Sequence, residues 1–254
     1  MSLASTTEDH LVHFPSNPDK FEFDGEVAAA FPDMSVRSIP CYREAHYVHA
    51  SLLKPTLLKE GDIVLVDVGA SRGYFFEEVC KQLQHTPKDF GGRVVGVAID
   101  SSQAMLDRLS ADMPWVQTVL GDITCMPDLE VQADAICMMY VLQFIQSTED
   151  KYQALRWAFR NLKPGGSLFL GQKEEPSSTY RDAFSEQYYA FRRDNGYTQA
   201  EIDAKTKALA NSMWPISKTF LEDLCYNAGF IDYAETTRWL HFSTAICTKD
   251  VDHA

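Results

Sequence analysis

The stretch from residue 63 to residue 73, IVLVDVGASRG, constrains the fold of this chain more than any other stretch. Apolar residues around a single acid, Asp67, lead into a turn that contains Gly69 and Gly73. Helical spacing follows from residue 74 to residue 83, so the stretch predicts a strand, a tight turn and a helix. Glycines in such a turn allow a ligand to approach the backbone closely, and the N–H groups of the helix favour an anion there. A nucleotide-binding unit is therefore the first hypothesis, although any strand-to-helix turn could contain these residues.

The spacing in this turn differs from the G-x-G-x-x-G pattern of dinucleotide-binding proteins. Asp67 stands two residues before Gly69, and Ser71 stands where a middle glycine would be expected. The turn therefore departs from a pyrophosphate-binding loop.

Two further acids follow predicted strands. Residues 93–99 predict a second buried strand that ends at Asp100, and residues 115–120 predict a third strand before Asp122. The oxygens of a carboxylate can accept from two hydroxyls, so Asp100 is a candidate for ribose binding. Asp122, with Ile123 against the ring face, is a candidate for adenine binding. The alternatives are a helix cap at Asp100, before a helix capped by Ser101, and a turn role for Asp122.

The fourth predicted strand, residues 133–140, ends in Met139 and Tyr140. The carboxyl end of this strand should face the reacting groups. The sulfur of Met139 or the ring face of Tyr140 could contact a positive centre there, and the alternative is that both side chains pack in the core. A helix over residues 149–162 is predicted to end at a Lys-Pro-Gly-Gly turn, residues 163–166, before a fifth strand at 167–170.

Helical segments flank these units. Residues 1–20 are expected to form a loose arm, and residues 21–254 a single domain. A short helix ended by Pro32 and a second helix over residues 43–58 are expected to cover the site. A helical insertion of about residues 174–212 includes a capping box at Thr198 and Glu201. The aromatic and basic cluster of this insertion could form a lid over the site or the contact of a homodimer. After the insertion, a helix is expected to stop at Gly229, and two strands are expected to complete the fold.

Composition limits the classes of function. The 254 residues are 45% hydrophobic and contain no apolar run long enough to cross a bilayer, so we expect a cytoplasmic protein without a membrane partner. A net charge of −13 makes a nucleic-acid partner unlikely without excluding it, because such binding requires Lys and Arg against phosphates. The six cysteines have no metal-ligand spacing, so we expect no metal site and reduced, mostly buried thiols.

The order of these motifs resembles that of class I S-adenosylmethionine-dependent methyltransferases. From about residue 21 onward the chain more closely resembles the carboxy-S-adenosylmethionine synthases that serve tRNA wobble-uridine modification. The motifs that support this resemblance are VAAAFPDM at 27–34, RSIPCY at 37–42, LQF at 142–144, NGY at 195–197 and NAGF at 227–230.

The resemblance implies an α/β, Rossmann-like methyltransferase fold. Its seven-stranded sheet would be mostly parallel with an antiparallel last strand, with the N-terminal helices as a cover and the helical insertion added. The cofactor would be S-adenosylmethionine, or carboxy-S-adenosylmethionine as the alternative, and a small molecule would be the acceptor. The cofactor-binding residues that the resemblance implies are Tyr42, Gly69, Ala70, Ser71, Asp100, Ser101, Asp122 and Ile123. The motifs themselves add Asp67, Gly73 and Met139 as candidates for cofactor binding.

Two positions depart from the family pattern. The family has an arginine in the insertion that pairs with the extra carboxylate of carboxy-S-adenosylmethionine, and Thr206, between Lys205 and Lys207, stands there. Met139 replaces an asparagine of the family. Because a lysine cannot reproduce the bidentate contact of arginine, the carboxy-specific chemistry is expected to carry over poorly.

Three hypotheses of function remain. The first is a methyltransferase that uses ordinary S-adenosylmethionine on a small or medium acceptor. The second is a carboxy-S-adenosylmethionine synthase in which Lys205 or Lys207 replaces the arginine, and the third is a non-catalytic cofactor-binding partner subunit. An acceptor that must lose a proton would need a base, and the catalytic candidates are His46, Tyr140, Arg192 and Arg193.

Overall fold

A computed structural model describes residues 23–57, 61–83, 94–176 and 178–252. The predicted N-terminal arm, residues 1–20, lies outside the described residues. Within the described part of the chain, no helix combines the length and apolar character needed to cross a membrane.

The centre of the fold is a seven-stranded sheet with the order β3-β2-β1-β4-β5-β7-β6. The pairings among β1 to β5 are parallel, whereas β7 runs antiparallel to both β5 and β6. This confirms the predicted sheet. The strands are β1 Ile63–Val68, β2 Val94–Asp100, β3 Val116–Leu120, β4 Ala133–Met139, β5 Leu162–Lys173, β6 Ile231–Trp239 and β7 Phe242–Thr248.

Apolar residues cover both faces of this sheet. All six residues of β1 are buried, and they alternate between two core clusters, Val64, Val66 and Val68 in one, Ile63 and Leu65 in the other. This alternation follows from the two-residue period of a strand, and burial of each large side chain contributes about 1.5–3 kcal/mol. The helices that supply the covering layers are α1 Gly25–Ser38, α2 Tyr42–Leu57, α3 Tyr74–Leu83, α4 Gln103–Asp112, α5 Thr148–Asn161, α6 Arg181–Asp194, α7 Gln199–Leu209 and α8 Lys218–Ala228.

The prediction that Pro32 ends the first helix is wrong, because α1 continues through it to Ser38. A proline inside a helix costs about 3 kcal/mol through a lost hydrogen bond and a clash. Two features compensate. The Asp24 side chain caps the helix by accepting from the N–H groups of residues 26 and 27, and the buried residues Val27 and Met34 pack in a cluster with Met105 of α4.

Two other local predictions need correction. Ser102, not Ser101, is the N-cap of α4, since its hydroxyl accepts from the Met105 N–H. The Lys-Pro-Gly-Gly sequence lies inside β5 rather than before it, because α5 ends at Asn161 and strand pairing resumes at Leu162. The sequence forms an irregularity in β5, where Gly165 has φ +74°.

The predictions for the later elements are largely confirmed. The insertion forms α6 and α7, with the predicted capping box at Thr198 and Glu201. Gly229 ends α8 in the left-handed conformation. All six cysteines have free thiols, of which three are buried, fewer than expected.

Strand order reverses between the neighbouring strands β1 and β4. The chain continues from β1 to β2 on one side of this pair and from β4 to β5 on the other side. In open parallel sheets, ligands bind at the carboxyl ends of the strands at such a switch point. The fold therefore directs attention to this edge of the sheet.

Candidate active site

A cavity of about 430 Å³ lies at the carboxyl edge of the sheet, under α1, α2 and the insertion. This volume is within the usual range for small-molecule sites. Twelve of the predicted site residues line it, namely Tyr42, His46, Asp67, Gly69, Ala70, Ser71, Asp100, Ser101, Asp122, Ile123, Met139 and Tyr140.

Three predicted residues do not line the cavity. Gly73 packs against α4, where an added Cβ would lie 3.1 Å from Met113 Sδ. Arg192 is buried behind the rings of the insertion, and Arg193 is exposed and forms an ion pair with Glu186 at 2.6 Å. The placement of Arg193 gives no support to its predicted role as a base.

The turn after β1 requires glycine at position 69. Gly69 has φ +65°, and a Cβ there would lie 2.5 Å from Val141 Cγ2. Its N–H and that of Ala70 both donate to Ile99 O, at 2.7 and 3.2 Å, and the Ser71 N–H donates to Asp100 Oδ2 at 2.9 Å. These N–H groups are already satisfied, so the expected anion-binding role of the turn does not apply to them. The turn instead brings backbone close to the cavity.

Asp100 does not cap α4, whose N-cap is Ser102, and its ribose-binding role stays a prediction. Its Oδ2 accepts from Ser71 N and its Oδ1 from Ser102 N, each at 2.9 Å, so it joins the turn after β1 to the turn after β2. It also lines the cavity, and burial raises the pKa of its carboxyl group. Each oxygen has a second lone pair, which leaves Asp100 able to accept from a hydroxyl in the cavity.

Asp122 follows β3 and is exposed at the outer end of the cavity. One oxygen, Oδ1, accepts from the backbone N–H and the hydroxyl of Thr124, at 2.9 and 2.8 Å. The adjacent Ile123 is buried in the core cluster and lines the cavity beside it. An acid with a free oxygen next to an apolar wall can accept from an amino group while a flat ring packs on the wall.

Asp67 is a buried carboxyl group in the cavity wall, only 4% exposed. Burial raises the pKa of Asp67 well above the usual range for a carboxyl group, and the charge of Asp100 raises it further. A hydrogen bond from the Cys137 thiol acts in the opposite direction and lowers this pKa. A cationic group in the cavity would favour the ionised form of Asp67.

Tyr42 and Tyr74 pack against His46, and Tyr140 lies beside Tyr42. The ring centroid of Tyr42 lies 4.5 Å from that of His46, 5.2 Å from Tyr74 and 6.0 Å from Tyr140. His46 Nδ1 donates to Tyr42 O at 2.8 Å, which makes Nε2 the lone-pair nitrogen of the neutral ring. Burial lowers the pKa of His46 to about 4, so the ring is neutral at pH 7.

The end of β4 has an uncommon backbone conformation. Tyr140 has φ +62° and donates its N–H to Gly171 O at 2.7 Å, and Met139 packs against the same Gly171. A non-glycine residue in this region costs of order 1–3 kcal/mol, and such strain clusters at functional sites. The conformation places both side chains in the cavity wall.

Sequence reasoning missed Lys173, the last residue of β5, which lines the far side of the cavity. Its Nζ lies 4.9 Å from the ring centroid of Tyr188 and 5.7 Å from that of Phe242. A lysine before two glutamates looks like a solvated charge, and only its position at a strand end could have marked it. Lys205, considered as a replacement for the family's arginine, also lines the cavity and donates to Ser38 Oγ at 2.9 Å.

Comparisons with known proteins assign the family. Residues 65–166 match a family model described as a methyltransferase domain. Over 91% of this chain and 94% of the relative, the sequence is 34% identical to the carboxy-S-adenosyl-L-methionine synthase of Wolinella succinogenes. The chain belongs to the carboxy-S-adenosyl-L-methionine synthase family. A second member of the carboxy-S-adenosyl-L-methionine synthase family, from Desulfotalea psychrophila, is 32% identical over 95% of this chain and 97% of its own length.

Solved structures show the same fold in methyltransferases. An O-methyltransferase family protein from Burkholderia thailandensis aligns with a TM-score of 0.62 and 13% identity, over 91% of this chain and 61% of that one. Human N-acetylserotonin methyltransferase in complex with S-adenosylmethionine aligns with a TM-score of 0.56 and 14% identity, over 89% and 55% of the two chains. At these identities the structures show the fold alone.

The chain is therefore an enzyme of the S-adenosylmethionine-dependent methyltransferase family, and S-adenosylmethionine is its cofactor. This leaves the hypothesis of a non-catalytic subunit without support. The residues present suit the cofactor, because Gly69 lines the cavity without a side chain and because Asp100 and Asp122 offer acceptors at successive strand ends. Among the described residues, no group of three or more metal-ligand side chains is close enough to bind a metal.

Proposed function

We propose that this enzyme transfers a methyl group from S-adenosylmethionine to a small or medium acceptor by in-line displacement. The observation that carries the proposal is the continuity of the cavity. It runs from Asp122 and Asp100, at the ends of β3 and β2, past Tyr140 after β4 to Lys173 at the end of β5. Five adjacent strands, from β3 to β5, at about 4.8 Å spacing span about 19 Å, which leaves room for an acceptor beside an adenosine.

The residues of the chain contribute mainly position. Asp100 would accept from the ribose hydroxyls and Asp122 from the adenine amino group, while the turn at Gly69 would admit the amino-acid part of the cofactor. Bound S-adenosylmethionine supplies a methyl group on a positively charged sulfur, and the sulfide that leaves is neutral. No catalytic acid is needed, and correct positioning can supply roughly 7–11 kcal/mol of the barrier.

His46 is the base that the geometry favours for an acceptor that must lose a proton. Its ring lines the cavity among Tyr42, Tyr74 and Tyr140, and Nδ1 is bound to Tyr42 O, which directs the basic function to Nε2. Tyr140 is a weaker candidate, because burial raises the pKa of its phenol and keeps it protonated. The low pKa of His46 makes it a weak base, which suits an acceptor that is already acidic.

A second candidate function is carboxy-S-adenosylmethionine synthesis, as the names of the relatives indicate. The position of Lys205 in the cavity wall favours it. The geometry of Thr206 weighs against it, because this residue is exposed and its hydroxyl donates to Ile202 O of its own helix at 2.7 Å. Since no bidentate donor stands at this position, we rank ordinary methyl transfer first.

Mass spectrometry of the ligand released from freshly purified protein tests the ranking. We expect S-adenosylmethionine or S-adenosylhomocysteine, and carboxy-S-adenosylmethionine as the main species would reverse the order of the two functions.

A gain-of-function variant sharpens this test. We expect Thr206→Arg to strengthen the binding of carboxy-S-adenosylmethionine by at least about tenfold, because it adds a bidentate partner for the carboxylate. Lys207, the other lysine considered as a replacement for the arginine, is exposed and does not line the cavity, so Lys207→Arg is the matched control. Tight binding of the carboxylated cofactor by the unchanged protein would favour the synthase.

A further inference from the structure

The side-chain amide of Gln143 is bound at one end and open at the other. Gln143 belongs to the short helical turn Leu142–Phe144 that follows β4, and it is only 4% exposed. Its Oε1 accepts from the backbone N–H of Lys173, at the end of β5, at 2.7 Å. Because a backbone N–H requires an acceptor, this bond also fixes which end of the amide is oxygen and which is nitrogen.

The nitrogen end of this amide, Nε2, faces the cavity. It has no hydrogen-bond partner among the described residues, yet solvent reaches it, unlike both amide atoms of Gln172, which are buried without a partner. Since Gln143 is buried and lines the cavity, the space that Nε2 faces is the cavity itself. A primary amide nitrogen has two N–H donors, so the wall offers donors here without a charge.

The backbone around Gln143 is fixed from two further sides. Gln143 O accepts from the Trp214 N–H at 2.7 Å, which joins the turn to the segment between α7 and α8. The Lys151 ammonium donates to Leu142 O and Ile145 O, on either side of Gln143. The donor is therefore in place before a ligand arrives, and a preorganised group loses less entropy on binding.

Gln143 lies on the side of the cavity that the acceptor would occupy. Its partner Lys173 ends β5, which lies across β4 from the strands that end at Asp100 and Asp122. A fixed N–H donor discriminates best in favour of a group that can only accept. A carbonyl oxygen is such a group, whereas a hydroxyl can turn either to donate or to accept.

We propose that Gln143 selects an acceptor that carries a carbonyl group, whose oxygen accepts from Nε2. A carbonyl conjugated to the group that receives the methyl also makes that group more acidic, which suits a weak base such as His46. An acceptor without the carbonyl would displace water from Nε2 and leave the donor unpaired, at a cost in affinity. The inference rests on the proposed methyl transfer, because it concerns the second substrate in the same cavity.

The test compares matched ligands on protein saturated with S-adenosylhomocysteine. Acetophenone and para-hydroxyacetophenone carry a carbonyl, and ethylbenzene and para-ethylphenol are the partners in which a methylene group replaces it. Calorimetry gives the ratio of affinities, ketone to ethyl partner, for each pair. For at least one pair we expect this ratio to be about fivefold or more higher in the unchanged protein than in Gln143→Met, which has no donor.

A second variant separates the donor from the bond that holds the turn. In Gln143→Glu, one oxygen can still accept from the Lys173 N–H, while the other, when ionised, repels a carbonyl. The ratio should therefore be at least as low as in Gln143→Met. Gln117→Met and Gln117→Glu, at an exposed position of β3 outside the cavity, are the controls, and their ratios should match that of the unchanged protein. A thermal unfolding curve verifies that each variant is folded.

Nuclear magnetic resonance of nitrogen-labelled protein reports on the amide directly. The Nε2 resonances of Gln143 are identified by their absence from the spectrum of Gln143→Met. They should move when the ketone is added, and they should move less with the ethyl partner, because only the ketone accepts from Nε2.

Three results would overturn the inference. They are the absence of measurable binding by either ketone, an affinity ratio that is the same in Gln143→Met as in the unchanged protein, and Gln143 resonances that the ketone leaves in place. A protein that binds neither S-adenosylmethionine nor S-adenosylhomocysteine would instead contradict the proposed function. The titrations with the ketones on the free protein would then still decide the role of Gln143.

Discussion

At the scale of single residues, the positions that bind a ligand in this account also hold the backbone in place. Asp100 joins two turns through Ser71 N and Ser102 N while it faces the cavity. Gly69 has φ +65° and leaves no space for a Cβ beside Val141. Substitutions here therefore affect stability and binding together, and each test needs a control that separates the two effects.

Gly69→Ala should destabilise the protein and weaken S-adenosylhomocysteine binding. A Cβ would lie 2.5 Å from Val141 Cγ2, and the left-handed conformation adds of order 1 kcal/mol. Gly61→Ala is the control, because Gly61 has φ +98° but open space around it. Thermal unfolding and calorimetry should show a larger loss for Gly69→Ala in both quantities. Equal losses in the two variants would contradict the steric argument.

His49 should make the fold sensitive to acid. Burial lowers its pKa from 6.5 to about 3, so the unfolded chain binds a proton between these values and the folded chain does not. Its contribution to stability is complete above pH 6.5 and is lost as the pH falls towards 3.

We expect the stability of the unchanged protein relative to His49→Phe to fall by roughly 2–3 kcal/mol between pH 7.5 and pH 4.5. Phenylalanine retains the ring packing against Phe169 and loses the bond to Thr236 at every pH. Urea unfolding at the two pH values measures the difference, in which the effects of other titrating groups cancel. A constant difference would contradict the assignment.

At the scale of elements, the segment after β4 depends on one buried lysine. Lys151 of α5 donates its ammonium protons to Leu142 O, at 2.6 Å, and to Ile145 O. The segment between these carbonyls includes Gln143 and Phe144, which line the cavity. A helix that packs against the sheet thus fixes a loop of the site.

Lys151→Met should leave Ile145 O unsatisfied and Leu142 O with only its bond from the Ile145 N–H, at a cost of about 1–3 kcal/mol. Hydrogen exchange should show faster exchange around residues 142–145, and urea unfolding should show the lower stability. Gln153→Ala, on the exposed side of the same helix, should change neither. Unchanged protection in Lys151→Met would mean that other contacts hold the segment.

The sequence indicated most elements because their signals were local. β1 is a run of buried residues, Thr198 and Glu201 form a capping box, and Gly229 ends α8. The failures occurred where tertiary packing outweighed local preference. Pro32 stays inside α1 because Val27 and Met34 are anchored in the core, and the Lys-Pro-Gly-Gly sequence joins β5 through pairing with distant strands.

The residues of the site were also predicted only in part. The acids at strand ends could be found because strand order in this fold brings successive carboxyl ends together. Lys173 was missed although it ends a strand, because its position against Tyr188 of the insertion and Phe242 of β7 depends on contacts between distant parts of the chain. The burial of Arg192 was missed for the same reason.

At the scale of the whole molecule, we propose that two copies associate through the insertion. Tyr180, just before α6, is 58% exposed and stacks on Phe184, which gives this face an aromatic surface. Light scattering should give twice the 28.7 kDa mass of one chain. Tyr180→Asp should shift the protein towards the monomer, whereas Tyr226→Asp on α8 should not. A monomeric mass for the unchanged protein would contradict the proposal.

The whole account depends on the acids at the carboxyl ends of β3 and β2, which would bind adenosine. Calorimetric titration with S-adenosylhomocysteine tests this directly, with Asp100→Ala as the variant and Asp107→Ala, on the exposed side of α4, as the control. We predict one binding site per chain and an affinity about tenfold or more weaker in folded Asp100→Ala than in the control. Absence of binding, or equal affinity in Asp100→Ala and the unchanged protein, would contradict the account.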